Sequence, residues 1–281
     1  MTPNSLLPLL LACLCLSPFA RAQDPLSVAA KKIFTDQQDS VVWLSAVAKV
    51  SFSADGGKEL PYNLPDQENK VEALGSIIDP SGLVVAALSQ VDPARNVTGR
   101  DFRIGGNIVK LEAVATLKEF KVVMPDGTEI PAEIVMKDAD LDLAFVRIKT
   151  ASKEAKGVTF KALDLKDSAP GGVMDEIVTL GRLDEVMNRV PTVTRGQILA
   201  ATKKPREFLR AGGATPGCPT FLSNGKLLGV AVTRTIKNKS THTVVIPAAD
   251  VLEIADQAKA ALPAATKETK AKAAPPAKTE K

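Results

Sequence analysis

Short apolar runs joined by residues that force a reversal leave this chain little choice but antiparallel β structure. Residues 73–79 and 83–88 flank Asp79-Pro80-Ser81-Gly82, and residues 112–124 and 128–135 flank Pro125-Asp126-Gly127. Residues 219–222 and 226–232 likewise flank Ser223-Asn224-Gly225. Proline presets φ for the first turn position, glycine takes φ values that other residues resist, and Asp or Asn closes the turn with its side chain. Further β-branched runs at 40–52, 141–148, 176–180, 191–200 and 241–246 read as strands of the same kind. No strand–helix–strand rhythm interrupts them, which excludes a doubly wound sheet and points to a barrel or sandwich. Aromatic residues make up only 4% of the chain, so its core must be built from Val, Ile, Leu and Ala.

Helical spacing occurs only near the two ends. Residues 25–36 place Val28, Ile33 and Phe34 on one face, and Pro247 opens a second helix through Leu262. Residues 54–72 read as a polar loop, 92–106 as an exposed irregular insertion, and 151–156 as a linker. The expected organisation is a first β unit with its helix over 23–150 and a second, ending in a helix, over 151–262.

Residues 1–22 have the form of a secretory signal, with an apolar core at 6–16 and a cleavage site at Ala20-Arg21-Ala22. The usual basic residue near the start is missing, and the run is too short to span a bilayer. Leu10-Leu11-Ala12-Cys13 offers a lipoprotein box as the alternative processing. Either route predicts export, to the periplasm or outside the cell. Cys13 and Cys15 leave with the signal, so Cys218 has no partner for a disulfide. The formal charge of +4 comes mostly from Arg21 and the Lys-rich segment 263–281. That Ala/Lys/Pro tail is expected to be disordered, with loose contact to anionic surfaces as its possible role. The remaining region is close to neutral, so no specific nucleic-acid partner is implied.

Four further segments carry a resemblance. They are Gly75-Ser76-Ile77-Ile78-Asp79-Pro80-Ser81-Gly82-Leu83-Val84-Val85, Asp138-Ala139-Asp140-Leu141-Asp142-Leu143-Ala144, Ile177-Val178-Thr179-Leu180-Gly181 with Val193-Thr194-Arg195-Gly196-Gln197-Ile198, and residues 211–232. In order and spacing the chain resembles trypsin-fold (chymotrypsin-like) serine proteases, especially their HtrA-like branch, over about residues 40–262. The resemblance implies an all-β fold of two antiparallel barrels with a cleft between them and short N- and C-terminal helices.

It also implies a degenerate catalytic site. Family members carry a histidine base where this chain has Ser89, within Ala86-Ala87-Leu88-Ser89-Gln90, and a hydroxyl cannot take a proton near neutral pH as imidazole does. The orienting acid is retained as Asp142. The family's Gly-Asn-Ser-Gly-Gly-Pro loop falls on Ala214-Thr215-Pro216-Gly217-Cys218-Pro219, which puts Pro216 at the nucleophile. Proline lacks the backbone N–H that helps form the oxyanion hole in this fold, and losing such a donor costs about a hundred- to a thousand-fold in rate. Ala214 replaces a turn glycine, and Thr215 is pushed toward extended geometry by the proline after it.

The expected function is therefore that of a non-catalytic protease homologue that binds a polypeptide or protein partner in the inter-barrel cleft. One alternative is an endopeptidase with a non-standard site, in which Cys218 or Ser223 works with His242, the only histidine. Another is a structural secreted domain that binds through its basic tail. Lys203, Lys204, Arg206 and Arg210, in a basic stretch before the loop, are candidate contacts for an acidic peptide or polyanion. A single histidine and a single retained cysteine imply neither a metal site nor a cofactor.

Overall fold

The computed structural model describes residues 24–57, 60, 64–104, 106–236 and 240–260. The signal sequence, the alternative at Cys13 and the tail lie outside them. The described chain opens with α1 (Pro25–Gln37), where Asp24 caps the helix by accepting the Leu26 N–H at 3.2 Å and Pro25 occupies the first turn.

Seven strands follow: β1 (Val41–Ala54), β2 (Gln67–Asp79), β3 (Leu83–Ala87), β4 (Asp101–Ile104), β5 (Asn107–Val123), β6 (Glu129–Asp138) and β7 (Leu143–Ile148). Their order is β1-β2-β3-β7-β6-β5-β4, all antiparallel, and β1 also pairs with β5, which closes the first barrel and leaves β4 appended to β5. One helical turn, α2 (Leu88–Val91), sits between β3 and β4. The second barrel comprises β8 (Glu176–Arg182), β9 (Pro191–Thr202), β10 (Phe208–Ala211), β11 (Pro219–Leu222), β12 (Leu227–Ile236) and β13 (Ser240–Pro247), closed in the order β10-β13-β12-β11-β8-β9. The helix α3 (Ala248–Ala260) ends the described chain.

Strand alternation sorts the apolar residues into three cores. Val42, Leu44, Val84, Ala86, Ala144 and Val146 fill the first barrel, and Ile177, Ile198, Leu209, Leu228 and Val245 fill the second. The alternate residues of the same strands form the third core, a seam between the barrels. Leu83, Val85, Leu143 and Phe145 meet Val178, Leu180, Val230, Val232 and Ile246 there, with α1 and α3 covering the ends. Strands β3 and β7 are thus buried on both faces, which is why β3 reads as an unbroken apolar run and β7 as one broken only by the half-buried Arg147. Burying each such aliphatic side chain contributes about 1.5–3 kcal/mol. Arg182 adds a polar bolt across the seam, its side chain only 4% exposed. Its guanidinium donates to the carbonyls of Val41 (2.6 Å), Gln38 (3.1 Å) and Arg189 (3.1 Å).

Five local expectations are corrected. Strand β2 begins at Gln67, so 67–72 is not loop; its polar start pairs with Ala46–Val50 of β1 and carries no apolar period. Leu88 belongs to α2 rather than to the preceding strand. The stretch 92–106 holds a 3₁₀ turn (Pro93–Asn96) and β4. Phe208–Ala211 is a barrel strand, which shortens the basic loop. The connection between barrels also runs well beyond 151–156, crossing the first barrel where the Leu163 N–H meets the Ile77 carbonyl (2.9 Å) and the second where the Ala169 N–H meets that of Leu227 (3.1 Å).

Candidate functional site

Asp142 enters β7 in the left-handed region, at φ +59°, an uncommon backbone state for a residue with a β-carbon. That twist turns its carbonyl to the Leu88 N–H (2.8 Å) and tucks its carboxylate beneath α2. Oδ1 accepts the Ser89 N–H at 2.8 Å and Oδ2 accepts the Ser89 hydroxyl at 2.9 Å. From the other barrel, the Thr233 N–H of β12 donates to Oδ2 at 2.9 Å. Arg95 completes the set with Nε 3.2 Å from Oδ1, and its far nitrogen donates to the Ala139 carbonyl. The Asn96 amide donates to the Ser89 carbonyl at 3.0 Å, holding the 3₁₀ turn over the pair.

A carboxylate offers about four lone-pair positions; here three hydrogen bonds take up three of them and Arg95 stands beside Oδ1 as an ion pair. Burial pushes the Asp142 carboxyl up from its ordinary value, against the opposing pull of the Thr233 N–H, the Ser89 hydroxyl and N–H, and Arg95. The Ser89 hydroxyl spends its proton on Asp142, so it acts as a donor and not as a base. Above this pair lies an open hollow of about 440 Å³, rimmed by the 92–100 segment on one side and by Thr233 and Thr235 on the other.

The loop expected to carry a nucleophile forms a tight turn. The Cys218 N–H donates to the Thr215 carbonyl at 3.0 Å, with Pro216 and Gly217 between them. Gly217 has φ +84°, matching a type II turn with proline and glycine at its two central positions. The turn is clasped from both barrels: the Gly217 N–H donates to the Ala231 carbonyl (2.8 Å) and the Ser76 hydroxyl to the Gly217 carbonyl (2.8 Å). The fit is close enough that a β-carbon on Gly217 would stand 1.9 Å from the Leu74 carbonyl oxygen. Ala214, Thr215 and Pro216 take no part in lining the hollow over Ser89 and Asp142. The structure brings Ser89 and Asp142 together, and the turn makes its own hydrogen bonds to both barrels.

The remaining candidates are dispersed. Cys218 is fully buried, and burial pushes its thiol up to about 12. His242 stands on the exposed face of β13 opposite Arg234, with Nδ1 2.6 Å from the Arg210 guanidinium, a spacing at which Nδ1 accepts. Ser223 lies in the β11–β12 turn, where its N–H meets the Glu176 carbonyl at 3.2 Å. Lys203 and Lys204 are exposed, and Arg206 faces Asp250 of α3 at 3.9 Å. None of Lys203, Lys204, Arg206 and Arg210 lines the Ser89–Asp142 hollow. Among the described residues no group of three or more His, Cys, Asp or Glu is disposed to hold a metal ion. Two contributors escaped sequence reasoning, Arg95 and Thr233. Arg95 sits in a stretch with no periodicity, and Thr233 contributes through its backbone, which no side-chain motif announces.

No curated protein sequence matches the chain. Among solved structures it is similar to the apo form of the MamO protease domain from Magnetospirillum magneticum, at 16% identity and a TM-score of 0.46, over 79% of this chain and 98% of that one. A family model described as the trypsin-like peptidase domain matches residues 73–230. That span runs from β2, through Ser89, Asp142 and the Pro216 turn, into β12. Covering more than half of the chain and joining both barrels, it shows that this protein belongs to the trypsin-like peptidase domain family.

Proposed function

We propose that this chain is an exported pseudoprotease that holds an extended polypeptide segment between its barrels without cutting it. Three features support the absence of catalysis. Ser89 stands at the base position, and its hydroxyl donates to Asp142 rather than taking up a proton. Pro216 supplies neither a hydroxyl nor an N–H. The thiol nearest the turn, Cys218, is neutral at physiological pH.

The observation that carries the binding role is the far end of the β12 edge, beyond Ala231, whose N–H and C=O are taken by Cys218 and Gly217. Strand β11 pairs with β12 only from Leu227 to Val230, whereas β13 follows β12 along its length. The Thr233 N–H points away from β13, toward Asp142. By antiparallel alternation the N–H and C=O of Thr235 then lie on the same edge, beside the hollow that both threonines line. A free strand edge accepts an extended chain through main-chain hydrogen bonds. Fluorescence anisotropy of labelled casein, mixed with the protein and followed for hours, tests the reading. A rise that holds supports it, whereas a fall below the value of free casein means proteolysis and refutes it.

A further inference from the structure

We infer that the cleft is selective for acidic segments, and that Arg100 is the residue that reads the carboxylate. The inference rests on the reading of the cleft as a polypeptide-binding site. The lining of the hollow over Ser89 carries three cations, Arg95, Arg100 and Lys137, against two carboxylates, Asp92 and Asp142. Four of these five charges are already matched. Arg95 is held by Asp142 at 3.2 Å, and Lys137 by Asp92 at 2.8 Å.

Arg100 is the exception. It is half-buried, and among the described residues its guanidinium has no hydrogen-bond or ion-pair partner, although its backbone N–H and C=O are both engaged, by Val97 and Leu111. A guanidinium partly withdrawn from water with all five donors free is matched by a planar anion, which it can grip with two parallel bonds. The same hollow is bounded by Thr233 and Thr235, so a chain laid along the β12 edge brings a side chain within this rim. An Asp or Glu side chain there completes the one uncompensated charge. A basic or apolar side chain leaves it unmet.

The test is fluorescence anisotropy at low salt with two fluorescein-labelled ten-residue Thr/Val peptides, one carrying a single central Glu and the other Gln at that position. The wild-type protein is expected to bind the Glu peptide about five- to tenfold more tightly. Arg100→Gln should abolish that preference and leave the affinity for the Gln peptide unchanged. Arg103→Gln removes the same charge from the exposed face of β4, outside the lining, and should retain the preference. Equal binding of both peptides by wild type overturns the inference while sparing the cleft reading. A preference that survives Arg100→Gln, or is lost equally in Arg103→Gln, overturns the assignment to Arg100. Binding of neither peptide overturns both the inference and the reading beneath it.

Discussion

Replacing Gly217 by alanine probes whether the degenerate loop has become part of the seam. Two separate penalties meet at this position. The backbone sits at φ +84°, which costs an L-residue about 1–2 kcal/mol. In addition, the new methyl would lie 1.9 Å from the Leu74 carbonyl oxygen, which is backbone and has no rotamer to escape into. Relieving that overlap requires the turn to move away from β2 by more than about 1 Å, since carbon and oxygen in van der Waals contact stand over 3 Å apart. Such a shift breaks the buried bond from the Ser76 hydroxyl to the Gly217 carbonyl, at a further cost of about 1–3 kcal/mol. Gly217→Ala should therefore destabilise the protein by about 2–5 kcal/mol.

Gly225 provides the control, because its φ is +87° and a β-carbon there meets nothing within 4 Å. Gly225→Ala pays only the backbone term. Urea unfolding followed by the fluorescence of Trp43, whose indole N–H reaches the Leu183 carbonyl at 2.9 Å, reports on the seam directly. The two variants should differ by about 1–3 kcal/mol. If Gly217→Ala is no less stable than Gly225→Ala, the turn is not wedged between the barrels and the reasoning fails.

The double variant Ser89→His, Pro216→Ser should remain inert toward casein, because the 215–218 turn stays clasped to Ala231 and Ser76 instead of being free to form an oxyanion hole; released fragments on a gel would refute this. Cys218 should resist a thiol reagent such as Ellman's at pH 8 for hours in a protein begun at Gln23, and react promptly once unfolded. Burial alone would raise the Asp79 carboxyl, but Lys259 at 2.8 Å together with the Ser81 hydroxyl and N–H hold it down at about 2. A depressed folded value stabilises above the unfolded value and loses that contribution as pH falls, so wild type should lose about 1–2 kcal/mol between roughly pH 4 and 2. Asp79→Asn should flatten that part of the melting-temperature profile, and an unchanged slope would count against the Lys259 contact.

The barrels could be read in the sequence because their turns are chemically explicit and their doubly buried strands are apolar runs broken only by Arg147. Strand β11 was legible to the residue, at Pro219–Leu222, for both reasons. Strand β10 was not. It is four residues long with an exposed Arg210 within it, the stretch before it is basic, and its place is set by partners in β9 and β13. The start of β2 was lost for the opposite reason, since Gln67–Lys70 are all exposed and show no alternation. At the site, the resemblance pointed to Ser89 and Asp142, which the fold sets against each other. What holds the carboxylate from the remaining sides was not legible. Arg95 reaches it from an irregular turn and Thr233 through a peptide N–H from the other barrel, and neither arrangement exists until the tertiary fold does.

The doubly buried strands have a consequence for how the molecule comes apart. A barrel that packed its neighbour through loops alone could melt by itself and leave the other standing. Here Leu83, Val85, Leu143 and Phe145 belong to the wall of the first barrel and to the seam at once. Separating the barrels would strip one face of β3 and β7 while their other face stayed packed, exposing a broad apolar sheet to water. Each half thus serves as the other's missing layer. Thermal unfolding should proceed as a single cooperative transition, and a chain divided in the 151–167 connection should yield two fragments that are insoluble apart and recover native structure only when refolded together.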